Sequence, residues 1–198
     1  MKQVLIIHGG DSFDSYKQYL ESLKSRMIDY ERIKYHTNWR TWIAEKMPEV
    51  DVLLPTFPNS SNAVYDEWKI FFEKIVPFLG DDVQLVGHSL GAMFLAKYLH
   101  SHVLPIKARR IILLAAQHDN VHEVEVGDIG SFKVESAEGV EQSTDEVHLF
   151  HSHDDPVVPY ESLKHIKTNL PTATVHSFSD RGHFLDPTFP ELLELLQK

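Results

Sequence analysis

Ser89 stands in Gly87-His88-Ser89-Leu90-Gly91, behind the apolar run Val83-Gln84-Leu85-Val86 and ahead of the amphipathic stretch Ala92–Leu99. A Gly-x-Ser-x-Gly motif carries chemistry when it sits on a sharp turn from a strand into a helix, because that turn lifts the hydroxyl clear of the backbone. Strand and helix patterns flank it here on the required sides. Gly87 and Gly91 are expected because a side chain at either position would crowd the turn. The helix N-terminus then aims N–H groups at the point where an oxyanion would develop. The bare motif is short enough to arise by chance, and a tight turn holding a buried structural serine is the competing reading.

A serine hydroxyl is a poor nucleophile without a histidine base and a carboxylate to orient that base. On an elbow of this kind the chain order is Ser, then Asp or Glu, then His, each at the C-terminal end of a strand. The run Val147–His151 leads into Ser152-His153-Asp154-Asp155-Pro156-Val157-Val158-Pro159, and Ala173–Phe178 leads into Ser179-Asp180-Arg181-Gly182-His183-Phe184. Of thirteen histidines, His183 is the one in that last loop, with Gly182 before it to free the backbone. The other twelve are read as solvated or structural. Two carboxylates compete for the middle role. Asp155 directly precedes Pro156 and is favoured, while Asp154 suits a turn-forming aspartate that accepts local N–H groups.

An oxyanion hole needs two backbone donors. The N–H of Leu90 is the first candidate, and the N–H of Gly10, in His8-Gly9-Gly10 after the first strand pattern, is the second. A plain glycine turn is the alternative for that loop. It is no phosphate cradle, since no Gly-Lys-Ser/Thr follows. His151-Ser152-His153-Asp154-Asp155 also fits His-x-His-x-Asp, a zinc-ligand spacing, but Pro156 occupies the place of the next histidine and few ligands remain downstream. The expectation is therefore no metal and no cofactor.

The elements that must position these residues alternate. Apolar runs at Val4–His8, Val50–Leu54, Val83–Val86, Arg110–Ala115, Val147–His151 and Ala173–Phe178 read as strands, with Glu31–His36 a weaker candidate. Helical spacing covers Phe13–Met27, Trp39–Met47 behind an Asn38 cap, Val64–Phe78 closed by Pro77, Ala92–Leu99, Glu161–Leu170 and a terminal stretch from about Thr188. The alternation predicts one α/β domain over residues 1–198, with a doubly wound, mainly parallel sheet of about six to seven strands and helices on both faces. The stretch 117–145 breaks the rhythm and reads as a surface excursion, with a short hairpin pairing Val124-Glu125-Val126 and Phe132-Lys133-Val134.

Composition narrows the function classes. A net charge of −10 without a Lys/Arg run argues against nucleic acid and anionic membrane surfaces as partners. The absence of cysteine excludes disulfides, thiolate metal sites and a cysteine nucleophile. No run approaches the ~18 apolar residues of a membrane span, so no membrane insertion is expected. The apolar run near Met1 is too short for a signal peptide, which makes a cytoplasmic setting the expectation. Nothing in the sequence speaks to oligomeric state.

Together, His8-Gly9-Gly10, Gly87-His88-Ser89-Leu90-Gly91, Asp154-Asp155-Pro156-Val157-Val158-Pro159 and Gly182-His183-Phe184 resemble the α/β-hydrolase superfamily, and within it the small cap-poor serine hydrolases with their bacterial esterase-like members. The resemblance implies a Ser89–Asp155–His183 triad, a sheet shortened relative to large lipases, and hydrolysis of a small ester, with amide or thioester as lesser options. It also marks a departure. In members of that group the Trp-containing helix closely follows the first Gly loop, whereas here residues 11–35 intervene before Trp39 and Trp42. That segment, like 117–145, is a candidate cover for the site. A hydrolase-fold binding protein with little turnover is the alternative function.

Overall fold

The structure, a computed structural model, describes residues 2–117, 129–134 and 136–198. Six strands form one sheet: β1 (Gln3–Ile7), β2 (Asp51–Leu53), β3 (Val83–His88), β4 (Arg110–Leu114), β5 (Val147–Ser152) and β6 (Thr174–Phe178). Their order is β2-β1-β3-β4-β5-β6 and every pairing is parallel. The chain steps from β1 outward to β2, crosses back to β3 and then proceeds in one direction. The order thus reverses between β1 and β3, where connections leave to opposite sides and open a crevice at the strands' C-terminal ends. The loop after β1 holds Gly10, and the turn after β3 holds Ser89.

The helices are α1 (Tyr16–Ser25), α2 (Tyr30–Ile33), α3 (Trp39–Lys46), α4 (Tyr65–Ile75), α5 (Leu90–Ser101), α6 (Gly139–Ser143), α7 (Glu161–Asn169) and α8 (Pro190–Gln197). The strand period of two divides the core between them. Leu5, Ile7, Leu85, Ile111, Leu113 and Leu149 face α4, α5 and α7, where Trp68, Phe72 and Phe94 fill the space. Val4, Ile6, Val86, Ile112, Leu114 and Phe150 face α3 and α8, meeting Trp39, Ile43, Leu192 and Leu196. Because both faces are covered, the central strands read as continuous apolar runs.

Several local expectations are corrected. Residues 31–36 contain no strand: Asp29 caps α2 by accepting the Glu31 N–H at 2.9 Å, and a Glu31–Lys34 ion pair at helical spacing supports the turn. The helix expected over Val64–Phe78 ends at Ile75 and tightens into a 3₁₀ turn over Val76–Phe78, since Pro77 has no N–H to continue the ladder. The first helix is shorter than Phe13–Met27 and starts behind Ser15, whose hydroxyl accepts the Gln18 N–H. The last begins at Pro190, where a missing N–H is harmless.

The proposed hairpin fares worse. Val124-Glu125-Val126 lies outside the described residues, and Phe132, expected in its second strand, ends a 3₁₀ turn over Gly130–Phe132. Nor are the described residues of 117–145 a pure surface excursion, because Phe132, Val134, Ala137 and Val140 are buried against α5 and its surroundings. Among the described residues, no helix is long and apolar enough to cross a membrane.

Candidate functional site

The turn between β3 and α5 is sharp because of its backbone. Ser89 adopts φ 53, ψ −119, a left-handed conformation that side chains rarely hold. The turn closes so tightly that a Cβ on Gly87 would lie 2.5 Å from the carbonyl oxygen of Gly91, and one on Gly91 would lie 2.5 Å from that of Ile7. Both glycines are therefore needed to seat α5 against the ends of β1 and β3. The Ser89 N–H is fixed by the Leu114 carbonyl at 2.8 Å.

The structure brings Ser89, His183 and Asp155 together from three strand ends. Ser89 Oγ lies 2.9 Å from His183 Nε2, and His183 Nδ1 lies 2.8 Å from Asp155 Oδ2. The carboxylate accepts the hydrogen bond from Nδ1–H and holds the proton on that nitrogen, so Nε2 is left to accept from the serine hydroxyl. Asp155 Oδ1 also accepts the Val157 and Val158 N–H groups at 2.8 and 3.0 Å. Burial pushes the Asp155 carboxyl up. The His183 hydrogen bond and the two N–H groups outweigh that and hold it below the usual carboxylate range. The ion stays charged while its side chain is closed off from solvent.

Asp154 has a different task. Its Oδ1 accepts the Gly182 N–H at 2.9 Å and the Ser152 hydroxyl, and Ser152 Oγ in turn accepts the Arg181 N–H at 3.1 Å. Gly182 sits at φ +49, a backbone state that glycine adopts without penalty. Asp154 thus pins the loop that carries His183, which is the turn-forming role weighed for it from sequence.

Three residues that sequence reasoning left among structural groups brace the site. His88 donates from Nε2 to the His183 carbonyl at 2.9 Å, and Trp39 donates from Nε1 to the Phe184 carbonyl at 2.9 Å. The His183 and Phe184 carbonyls, which follow the imidazole in the chain, are therefore held from β3 and from α3. His8 Nε2 accepts the Phe57 N–H at 2.8 Å, which leaves Nδ1 protonated to donate to Gly9 O at 2.6 Å. That ring fixes the glycine loop after β1. The position of His8 directly before Gly9-Gly10 was the available signal. His88 and Trp39 gave none, because their contacts span 95 and 145 residues of sequence.

His88 is fully buried, and its pKa is pushed down to about 3 by desolvation first and by the neighbouring His183 second. Burial also lowers His8 and His151. Each of these rings binds protons in the unfolded chain at a pH where the folded protein does not, so stability rises with pH across that interval. For His88 the interval runs from about 3 to its ordinary 6.5. Its share of the loss between pH 7 and pH 5 is about 2 kcal/mol. Urea unfolding should show lower stability at pH 5 than at pH 7; equal stability would contradict a neutral buried His88.

The N–H groups of Leu90 and Gly10 have no hydrogen-bond partner among the described residues, and both residues border the space beside Ser89. Two recesses meet at that serine. One, of about 610 Å³, is lined by polar groups including His183, Asn38 and Ser60. The other, of about 50 Å³, is lined by Leu90, Met93, Ala115, Ile129 and Val158. From residues 11–35, only Asp11 lines the larger recess among the described residues, tied there to Arg26 at 2.7 Å. α1 buries no side chain.

The zinc-like run is spent on other contacts. His151 Nε2 donates to the Val158 carbonyl at 2.9 Å, and the His153 ring stacks on Tyr160 with centroids 3.6 Å apart. No group of three or more His, Asp or Glu side chains able to hold a metal occurs among the described residues.

Residues 32–189 match the family model described as serine hydrolase. The serine hydrolase RBBP9 of Rattus norvegicus is 24% identical over 163 residues, covering 80% of this chain and 84% of its own. Among solved structures, the ydeN gene product of B. subtilis superposes with a TM-score of 0.77 at 20% identity, covering 100% of this chain and 97% of the other. An esterase from Exiguobacterium antarcticum superposes at 0.59 with 15% identity, covering 100% and 92%. At such identities the two structures speak to the fold.

Proposed function

The chain belongs to the serine hydrolase family, and on that premise we propose that it hydrolyses small carboxylic esters through Ser89, His183 and Asp155. Ser89 Oγ attacks the ester carbonyl while His183 Nε2 takes its proton. The Leu90 and Gly10 N–H groups hold the tetrahedral oxyanion, and His183 returns the proton to the departing alcohol. Water then cleaves the acyl-enzyme by the same route. Asp155 keeps Nδ1 protonated and stabilises the imidazolium. The observation that carries this reading is the line of hydrogen bonds at 2.9 and 2.8 Å from hydroxyl to imidazole to carboxylate.

Size supports the substrate class. His183 must reach the leaving group, and it lines the large recess but not the small one. The acyl chain therefore belongs in the recess of about 50 Å³, which has room for only a short chain. p-Nitrophenyl acetate should be turned over at least about ten-fold faster, by kcat/KM, than the octanoate, because the extra methylenes find no pocket. An octanoate preference would reverse this assignment of the two recesses.

A fluorophosphonate probe tests the chemistry directly. Wild-type protein should be labelled on Ser89 at neutral pH, and Ser89→Ala should not be labelled. A folded wild type that stays unlabelled would leave the alternative, a hydrolase-fold binding protein.

A further inference from the structure

Arg40 is the second residue of α3 and lines the large recess together with Ser89 and His183. It is half-buried, and burial lowers its pKa. Among the described residues its side chain has no hydrogen bond and no ion pair. The other charges of that lining are matched. Asp11 is bonded to Arg26 at 2.7 Å, and the His183 imidazole faces Asp155 at 2.8 Å. The rings of His8 and His88 are held neutral by burial, one spanning Gly9 and Phe57, the other bonded to the His183 carbonyl. Among the described residues, the recess therefore carries one uncompensated positive charge, in a chain whose net charge is −10.

A half-hidden guanidinium without a partner is unfavourable, and a planar carboxylate offers its fork two parallel hydrogen bonds. Arg40 lines the same large recess as His183 and does not line the small one, so it borders the space where the leaving alcohol must lie. We propose that the substrate is a short-chain acyl ester of a carboxylate-bearing alcohol, a hydroxy acid, and that Arg40 binds its carboxylate. The inference rests on the hydrolase reading above and adds the charge and the side of the substrate to it. In the reaction, the Ser89 oxygen bonds to the acyl carbon, the ester C–O bond breaks, and the hydroxy acid leaves with the proton carried by His183. Water then releases the short acid and restores the serine hydroxyl.

The test compares O-acetyl-lactate with O-acetyl-lactamide, which share a shape and differ in charge. Wild-type kcat/KM should favour the carboxylate by about ten-fold or more, the discrimination typical of a charged hydrogen-bonding partner. Added NaCl should narrow that ratio. Arg40→Gln should bring the ratio to about one, and Arg40→Lys should retain part of it, having the charge without the fork. Equal use of the two esters by wild type, no turnover of either, or an unchanged ratio in Arg40→Gln would each overturn the proposal. If Arg40→Gln does not fold, the wild-type ratio and its salt dependence decide. Wild-type cleavage of p-nitrophenyl acetate separates the two levels. With it intact, a missing charge preference sinks the Arg40 inference alone. Without it, and without labelling at Ser89, the hydrolase reading fails and the inference falls with it.

Discussion

Asp155→Asn is expected to lower kcat about 10⁴-fold on p-nitrophenyl acetate with little change in KM, through the wrong imidazole tautomer. The geometry dictates how the amide would sit. Oδ1 accepts the Val157 and Val158 N–H groups, so the asparagine oxygen must stay there. The amide nitrogen then occupies the Oδ2 place, 2.8 Å from His183 Nδ1. A donor facing Nδ1 forces the proton onto Nε2, which can no longer accept from Ser89. Asp154→Asn should cost less than about ten-fold, because its two incoming bonds, from Gly182 N–H and the Ser152 hydroxyl, suit an amide oxygen equally well. Asp154→Ala removes both and should loosen the His183 loop. Steady-state kinetics of the variants give the answer, and losses of equal size in the two asparagine variants would contradict the separate roles.

Gly91→Ala is expected to destabilise the fold by about 3 kcal/mol or more and to abolish activity, a larger effect than overpacking usually produces. The added Cβ would meet the carbonyl oxygens of Ile7 and His8 at 2.5 and 2.6 Å. Neither can give way, since Ile7 lies inside β1, paired with β3, and the His8–Gly9 loop is clamped by the His8 ring. The helix must instead move away from the sheet, carrying the Leu90 N–H with it. Gly182→Ala is the informative contrast. Nothing lies within 4 Å of a Cβ there, so its cost is confined to the strain of φ +49. Urea midpoints should therefore rank wild type, Gly182→Ala and Gly91→Ala in that order. A Gly91→Ala protein as stable as Gly182→Ala would rule out the close approach of α5 to β1.

The parts of this protein legible in its sequence are those with a local cause. Continuous apolar runs covered on both faces became β1, β4 and β5 within a residue of their expected ends, and β3 runs two residues past its own into the elbow. Asn38 was recognisable as a cap because its side chain serves N–H groups two and three residues on. The elbow was legible because Gly87 and Gly91 flank the serine within one turn. Where local signals competed, the reading went wrong. The charged alternation at 31–36 resembles an edge strand, but the Asp29 cap and the Glu31–Lys34 pair turn it into a helix. The apolar residues near 132–140 fall between polar and acidic neighbours and carry no period, so their burial against α5 is invisible without the fold.

The sequence by itself determined the alternation of strands and helices, the elbow, and the order in which Ser89, an Asp154-Asp155 pair and His183 arrive at strand ends. Those features depend on backbone propensity and on neighbours a few residues apart. Only the tertiary structure assigned the two aspartates, since the choice depends on which carboxylate meets an imidazole 28 residues later. It likewise decided that His88 and Trp39 brace the His183 loop and that Arg40 stands unmatched among the described residues of the recess, because such relations exist only once distant strand ends share one crevice.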